Sequence, residues 1–218
     1  MITVVKCGGA ALDRRAFDAG QLEAASGTLV VHGAGPRISR GLEAAGIPST
    51  FVGGRRVTTP AALPYVRAAF AAVNLELCTQ LGPRAVGLLG DELGLRAERL
   101  PELGEAGLLL PHVPRLVREL LDAGALPVIA PIARGPLNVN ADDAAAVLAI
   151  ALEAERLVFH SDVAGVLVDG EVLERLSAGE IPALNGSLTG GVVPKLEAAV
   201  RAARAGIRVE LGSTLVTA

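Results

Sequence analysis

The sequence predicts the α/β class: a mainly parallel sheet covered by helices on both faces. Three observations predict it. Short β-rich runs alternate along the chain with longer Ala- and Leu-rich runs of helical character. The strand runs are apolar at consecutive positions, the pattern of strands buried on both faces. Glycines follow directly on several of these runs and lead into the next helix, as strand-to-helix turns do.

Taken in order, residues 2–5 read as a buried strand leading to Gly8 and Gly9, and 14–25 as a helix. Residues 28–31 form a second strand ending at His32-Gly33-Ala34-Gly35; Pro36 opens a helix that Gly46 ends. Residues 50–52 read as a short strand. Pro60 opens a long helix to residue 81, whose alanines suit close packing. A strand at 85–88, a helix at 114–123 stopped by Gly124 and a strand at 126–132 follow. Residues 142–152 read as a helix, 157–160 as a strand, 166–173 as a hairpin, 194–205 as a helix ended by Gly206, and 208–211 as a strand. No repeat or low-complexity linker interrupts the series, so 218 residues predict one domain or two closely joined lobes.

Composition excludes several functions. A formal charge of -3 offers no basic field for nucleic acid, and four Phe, one Tyr and no Trp offer no stacking platform. Two cysteines and three dispersed histidines fit neither a disulfide framework nor a zinc site. No apolar run reaches the roughly 18 residues of a membrane helix, and the chain starts on a strand-like run with no signal peptide. A reduced, cytoplasmic protein without nucleic-acid or membrane partners is expected.

Of 20 basic residues, 18 are Arg; Lys6 and Lys195 are the two lysines. Compositional bias accounts for their scarcity but not for their positions. Lys6 ends an apolar strand just before two glycines, where a buried-edge ammonium is costly without an anion. Lys195 follows Gly190-Gly191-Val192-Val193-Pro194 at another loop-to-helix junction. A compact point charge at such a junction suits a transferring phosphoryl group better than a forked guanidinium does. Gly33-x-Gly35 before Pro36 suits anion binding by main-chain N–H groups at a helix start. Ile38 stands where a dinucleotide fingerprint needs its third glycine, and neither a G-x-x-x-x-G-K-[ST] loop nor a G-x-S-x-G elbow occurs. Asn140 reads as the N-cap of the helix carrying Asp142 and Asp143. In an extended run Asn138 and Asn140 point the same way and can share a polar ligand. Arg55-Arg56 reads as a carboxylate clamp or as an exposed pair. His32 and His160 read as satisfied buried histidines; His112 and the cysteines receive no role. Because ligands of parallel sheets bind beyond the carboxyl ends of the strands, Lys6-Cys7-Gly8-Gly9, His32 to Gly35 and Ser161-Asp162 should line one edge.

Six segments in order resemble the amino acid kinase family over nearly the whole chain: VVKCGGAAL (4–12), VVHGAGP (30–36), FVGGRRVT (51–58), LNVNADDAA (137–145), SDVAGVL (161–167) and GGVVPKLEAA (190–199). FVGGRRVT and NVNAD are most specific for the branch whose acceptor is N-acetyl-L-glutamate. The resemblance implies an open three-layer α/β/α sandwich, with an acceptor and dimerisation lobe at 1–133 and a nucleotide lobe at 134–218. It implies phosphoryl transfer from ATP, with Mg²⁺, to the side-chain carboxylate of N-acetyl-L-glutamate in arginine biosynthesis. N-acetyl-aminoadipate as acceptor, in lysine biosynthesis, and a catalytically weak ligand-binding relative are the alternatives. By similarity, Lys6 and Lys195 stabilise the transferring group and Asp142 holds both lysines. Gly8, Gly9, Gly33, Ala34 and Gly35 bind phosphate oxygens. Arg56, Asn138 and Asn140 hold the acyl amino acid, and Ser161, Asp162, Val163, Gly165 and Gly191 lie along the nucleotide.

The chain departs from that pattern in places. Ala34 replaces a usual glycine, where its methyl is expected to crowd a phosphate contact. Segments around 103–111, 134–136, the hairpin after Leu167, and 210–214 are short, the last beside the expected nucleotide. No helix precedes Ile2; in the family that helix accompanies arginine-sensitive rings, so a homodimer without arginine feedback is expected.

Overall fold

A computed structural model describes residues 1–9, 26–160, 164–168, 171–181 and 192–218; the helix expected at 14–25 lies outside them. Along the chain come β1 (Thr3–Cys7), β2 (Thr28–His32), α1 (Gly35–Ala44), the hairpin strands β3 (Phe51–Val52) and β4 (Arg55–Arg56), and α2 (Leu63–Leu81). Next are β5 (Ala85–Leu89), α3 (Gly90–Leu93), β6 (Ala97–Arg99), a 3₁₀ turn (Pro101–Leu103), β7 (Ala106–Leu109), α4 (Arg115–Asp122), β8 (Leu126–Ala130), β9 (Ile132–Ala133) and β10 (Leu137–Val139). Then follow α5 (Ala141–Ala151), β11 (Arg156–His160), β12 (Leu167–Val168), β13 (Glu171–Val172), β14 (Arg175–Ser177), α6 (Val192–Arg204), β15 (Arg208–Leu211) and β16 (Thr214–Thr217).

An eight-stranded sheet in the order β14-β16-β15-β11-β1-β2-β8-β5 forms the middle layer. Every pairing in it is parallel except β15 with β16. The expected α/β sandwich with a mainly parallel sheet is therefore present. The strand pleat sorts its side chains. Val4, Leu29 and Val31 join the cluster that α4, α5 and α6 supply on one face, while Val5, Cys7 and Val30 pack with Leu77 and Leu81 of α2 on the other. Lys6 shares the parity of Val4, so its side chain leaves the strand on the α5 face.

Helix α5 is buried from Asp142 to Ala149 and packs against β1, β2, β11, β7 and α6. A helix enclosed on so many sides needs small residues, and Ala144, Ala145, Ala146 and Ala149 meet that need. A second sheet, β6-β7-β10-β9, flanks the N-terminal end of α5. Its strands, α3, β14 and β16 were not anticipated from the sequence. Segments such as Ala-Glu-Arg at 97–99 and Ala-Gly-Leu-Leu at 106–109 carry weak strand preference and are organised by their partners. The short stretch at 210–214 is the tight β15–β16 turn, where Gly212 has φ +58° and a Cβ would meet the Ala164 carbonyl oxygen at 2.3 Å. Among the described residues no helix is long and apolar enough to cross a membrane.

His32 is fully buried at the end of β2, as its sequence position suggested. Asn74 Nδ2 lies 3.0 Å from His32 Nε2 and donates to the Val128 carbonyl at 2.9 Å, while Phe70 stands edge-on at 6.0 Å. Burial pushes the imidazole pKa from 6.5 down to about 4, against a weaker opposing contact with the Gly33 carbonyl. The folded protein thus prefers the neutral ring, and this contribution is present above pH 6.5 and lost as pH falls toward 4. Urea unfolding should show a loss of about 2–3 kcal/mol from this group across that window. A folded His32→Gln variant should show a flatter dependence there; equal slopes in both proteins would place the loss elsewhere.

Candidate active site

Strands β1, β2 and β11 end at one level: Cys7 is in register with His32 on one side and His160 on the other. The turns that follow β1 and β2 consequently open on a single edge of the sheet. The residues expected to join them after β11, Ser161, Asp162 and Val163, lie outside the described residues, as does Gly191.

The two glycine turns pack against each other. Gly33 N–H donates to the Cys7 carbonyl at 2.9 Å, and Gly8 N–H turns away to that of His160 at 3.0 Å. A Cβ on Gly9 would stand 2.9 Å from the Gly35 nitrogen and 3.2 Å from the Ala34 nitrogen, and one on Gly33 would stand 3.2 Å from the Gly9 nitrogen. Side chains there would cover the amide groups at the start of α1, where the helix dipole is positive. Glycine keeps this cradle open to an anion. Ala34 is buried in the apolar cluster of α1 and α2 with Ile38 and Phe70, and it also lines the cavity beside the cradle.

Beside the cradle, Lys6 Nζ lies 2.8 Å from Asp142 Oδ1 and Lys195 Nζ lies 3.3 Å from the same oxygen. Three elements supply this triad. β1 presents Lys6 through its pleat, and the first turn of α6 presents Lys195. Asp142 sits in the first turn of α5, whose N-cap Asn140 accepts from the Asp142 and Asp143 N–H groups at 2.8 and 3.2 Å. Burial alone would raise the Asp142 pKa; Lys6 and then Lys195 outweigh it and hold the carboxyl below its usual range. Burial, followed by the charge of Lys6, brings Lys195 down to about 8. Two ammoniums on one carboxylate leave a net positive charge facing the cradle.

A cavity of about 210 Å³ adjoins the triad. Lys6, Gly9, Gly35, Arg56, Asn138 and Asn140 supply polar lining, and Phe51, Phe70, Leu100 and Leu103 an apolar wall. Arg56 is buried, bonded to Ser49 Oγ, to Ser39 Oγ at 2.9 Å and to the Gly35 carbonyl at 3.2 Å, with its guanidinium 4.5 Å from the Phe51 ring centre. Asn138 Nδ2 donates to Thr58 Oγ1 at 2.9 Å, and Thr58 Oγ1 to the Arg56 carbonyl at 3.2 Å. With the Asn140 oxygen committed to the cap, ligand contact is left to its NH₂ group.

One sequence expectation changes. Arg55 and Arg56 do not form a joint clamp, because consecutive residues of β4 leave on opposite faces. Arg55 Nε and Nη2 meet Asp143 Oδ2 at 2.9 and 2.8 Å instead. Gly165 is closely packed: a Cβ there would stand 2.6 Å from Thr214 Oγ1 and from Val172 Cγ1. Sequence reasoning did not find Asp143, Thr58, Ser39 or Ser49. For Asp143 the signal was two successive acids at a helix start, which reads equally as helix-dipole stabilisation. Among the described residues no group of three or more His, Cys, Asp or Glu is placed to hold a metal ion.

Residues 1–213 match the model of the amino acid kinase family. The chain belongs to that family. Among curated relatives of this kinase family, the acetylglutamate kinase of Frankia casuarinae is 44% identical over 200 residues, 82% of this chain and 55% of the relative. That of Rubrobacter xylanophilus is 40% identical over 216 residues, 94% of this chain and 85% of the relative. The chain thus spans little more than half the length of the first. The crystal structure of smu.665 from Streptococcus mutans UA159 is similar with a TM-score of 0.90 and 26% identity, covering 99% of this chain and 98% of that one.

Removing the shared counter-ion should be costly. Asp142→Ala leaves two buried ammoniums facing each other, and urea unfolding at pH 7 should show a loss of about 3–5 kcal/mol. Adding Lys6→Met should recover part of it; a double variant as unstable as the sum of the singles would deny the pairing.

Proposed function

We propose that the chain transfers the terminal phosphoryl group of ATP to the side-chain carboxylate of N-acetyl-L-glutamate, forming N-acetyl-L-glutamyl phosphate in arginine biosynthesis. The observation that carries this reading is the convergence of Lys6 and Lys195 on Asp142 beside a glycine cradle and an acceptor-sized cavity. The acetylglutamate kinases at 44% and 40% identity support it.

In the proposed reaction a carboxylate oxygen of the acceptor attacks the γ-phosphorus, the bond to the bridging β–γ oxygen breaks, and ADP leaves with that electron pair. A carboxylate of pKa near 4 is already ionised at neutral pH, so no general base is needed. The barrier is the approach of two anions. Lys6 and Lys195 offset the charge that crowds the transferring group, and Asp142 holds both in position in advance. Main-chain N–H groups of Gly9, Ala34 and Gly35 receive phosphate oxygens. Arg56, Asn138 and Asn140 hold the acyl amino acid at its α-carboxylate side. Gly8 and Gly33, whose N–H groups bond to the His160 and Cys7 carbonyls, shape the phosphate cradle without donating to it, and Ser161, Asp162, Val163, Gly165 and Gly191 complete the nucleotide side of the proposal. The carboxylates of Asp142 and Asp143 are taken by lysines and arginines. This donor set suits a Mg²⁺ that arrives with ATP and is held by phosphate oxygens and water. A cytoplasmic homodimer with an acceptor lobe at 1–133 and a nucleotide lobe at 134–218 belongs to the same reading.

Incubation with MgATP, N-acetyl-L-glutamate and hydroxylamine should trap the acyl phosphate as a hydroxamate. Signal only with the homologue one methylene longer transfers the assignment to N-acetyl-aminoadipate and lysine biosynthesis. Absence of signal with any acceptor, from folded protein, assigns a ligand-binding role. Lys195→Arg should keep the fold and lose turnover by about a hundredfold or more, since a forked guanidinium cannot take the place of a point charge; near-normal turnover overturns the role of Lys195. The ammonium form of Lys195 is the active one, so kcat/KM should fall as pH rises through about 8. Bound phosphates favour that ammonium, so the corresponding limb of kcat should lie at higher pH. A kcat/KM that stays level through pH 9 contradicts this.

A further inference from the structure

Asp143 is a buried carboxylate that the proposed chemistry does not use. Its side chain is 1% exposed and stands next to Asp142 in the first turn of α5. Oδ2 receives both Nε and Nη2 of Arg55, and Oδ1 receives Nη2 of Arg201 at 3.0 Å. Glu197 stands 3.8 Å from Arg55 Nη2. Asp143 therefore joins three elements: the β3–β4 hairpin through Arg55, α5 through its own backbone, and α6 through Arg201. The hairpin carries Arg56 on its opposite face, against the cavity, and α6 carries Lys195.

A second contact joins the same parts. The hairpin turns at Gly53 and Gly54, with φ of +53° and +74°. A Cβ on Gly54 would stand 2.5 Å from Pro194 Cγ. The hairpin thus rests directly on the first turn of α6, one residue before Lys195. Movement of the hairpin away from the cavity would break the Arg55–Asp143 pair and lift the turn off Pro194 together.

We propose that Arg55, through Asp143 and Arg201, is a positioning residue that latches the acceptor hairpin onto α6 and so sets Lys195 against Asp142. The latch rests on the kinase reading above and adds to it a coupling between the acceptor side and the phosphoryl side. Arg56 senses the acceptor, Arg55 fastens the strand they share to α5 and α6, and Pro194 transmits its position to Lys195. The partly exposed guanidinium of Arg55 can release and re-form its pair as ligands come and go, whereas Lys6 and Asp142 remain enclosed.

The chain has two lysines, so protein labelled with ¹³C-lysine gives two side-chain sets, those of Lys6 and Lys195. In Arg55→Met, without any substrate, the Lys195 Cε signal should move while that of Lys6 stays close to its position. Asp143→Asn should move the Lys195 signal in the same direction, and the double variant should go no further than the larger single. In turnover, Arg55→Met should raise the acceptor KM about tenfold and leave the ATP KM within about twofold. Arg55→Lys, which keeps a cation against Asp143, should recover part of both effects. Arg55→Gln carries the same readouts if Arg55→Met does not fold. A folded variant with an unmoved Lys195 signal, or with both KM values raised alike, overturns the latch. If the wild-type protein makes no acyl phosphate, the kinase reading fails, while the substrate-free lysine signals still decide the latch.

Discussion

One carboxylate oxygen organises this molecule. Asp142 Oδ1 is shared by Lys6 and Lys195 in a setting from which most water is excluded. Two ammoniums and a carboxylate are costly to bury, and the arrangement persists only where each charge has its partner at hydrogen-bond distance. Each member comes from a different element. The positions of β1, α5 and α6 are therefore tied to one point, and the glycine cradle and the cavity are placed around it.

The packing serves that point. Helix α5 must approach the sheet closely enough for Asp142 to reach the end of β1, yet also lie against α6. Alanine at Ala144, Ala145, Ala146 and Ala149 allows both approaches. The neighbouring carboxylate repeats the pattern with different cations: Asp143 is held by Arg55 and Arg201. Adjacent aspartates at the start of one helix thus gather cations from the strand, the hairpin and the following helix. The two compact ammoniums share a single oxygen of Asp142, whereas the forked guanidinium of Arg55 meets Asp143 through both Nε and Nη2.

Legibility differed from element to element for physical reasons. Strands β1, β2, β8 and β11 are continuous apolar runs, and helices α1, α2, α4 and α6 carry proline or glycine at or near their ends, so local signals sufficed. β6, β7, β9 and β10 are no more than four residues long, all but β10 contain Ala, Gly or charged residues, and they are strands because of the neighbours they pair with. At the site, Lys6 and Lys195 stood out because eighteen arginines occupy the other basic positions. Asn140 was legible as a cap, and the structure places it there and in the lining of the cavity. Arg55 and Asp143 were not legible as partners: 88 residues separate them, and each has an ordinary local explanation.

The sequence by itself determined the alternation of buried strands and helices, the glycine turns at the strand ends, and the two lysines set at loop junctions. These follow from local propensity, from the parity of a strand and from the cost of burying charge. Only the tertiary structure decided that both lysines share one oxygen, that Arg55 turns away from Arg56 to Asp143, and that Gly54 rests on Pro194. Those facts depend on the register between elements far apart in the chain, which is settled by packing and by the pairing of buried charge, and no local pattern encodes it.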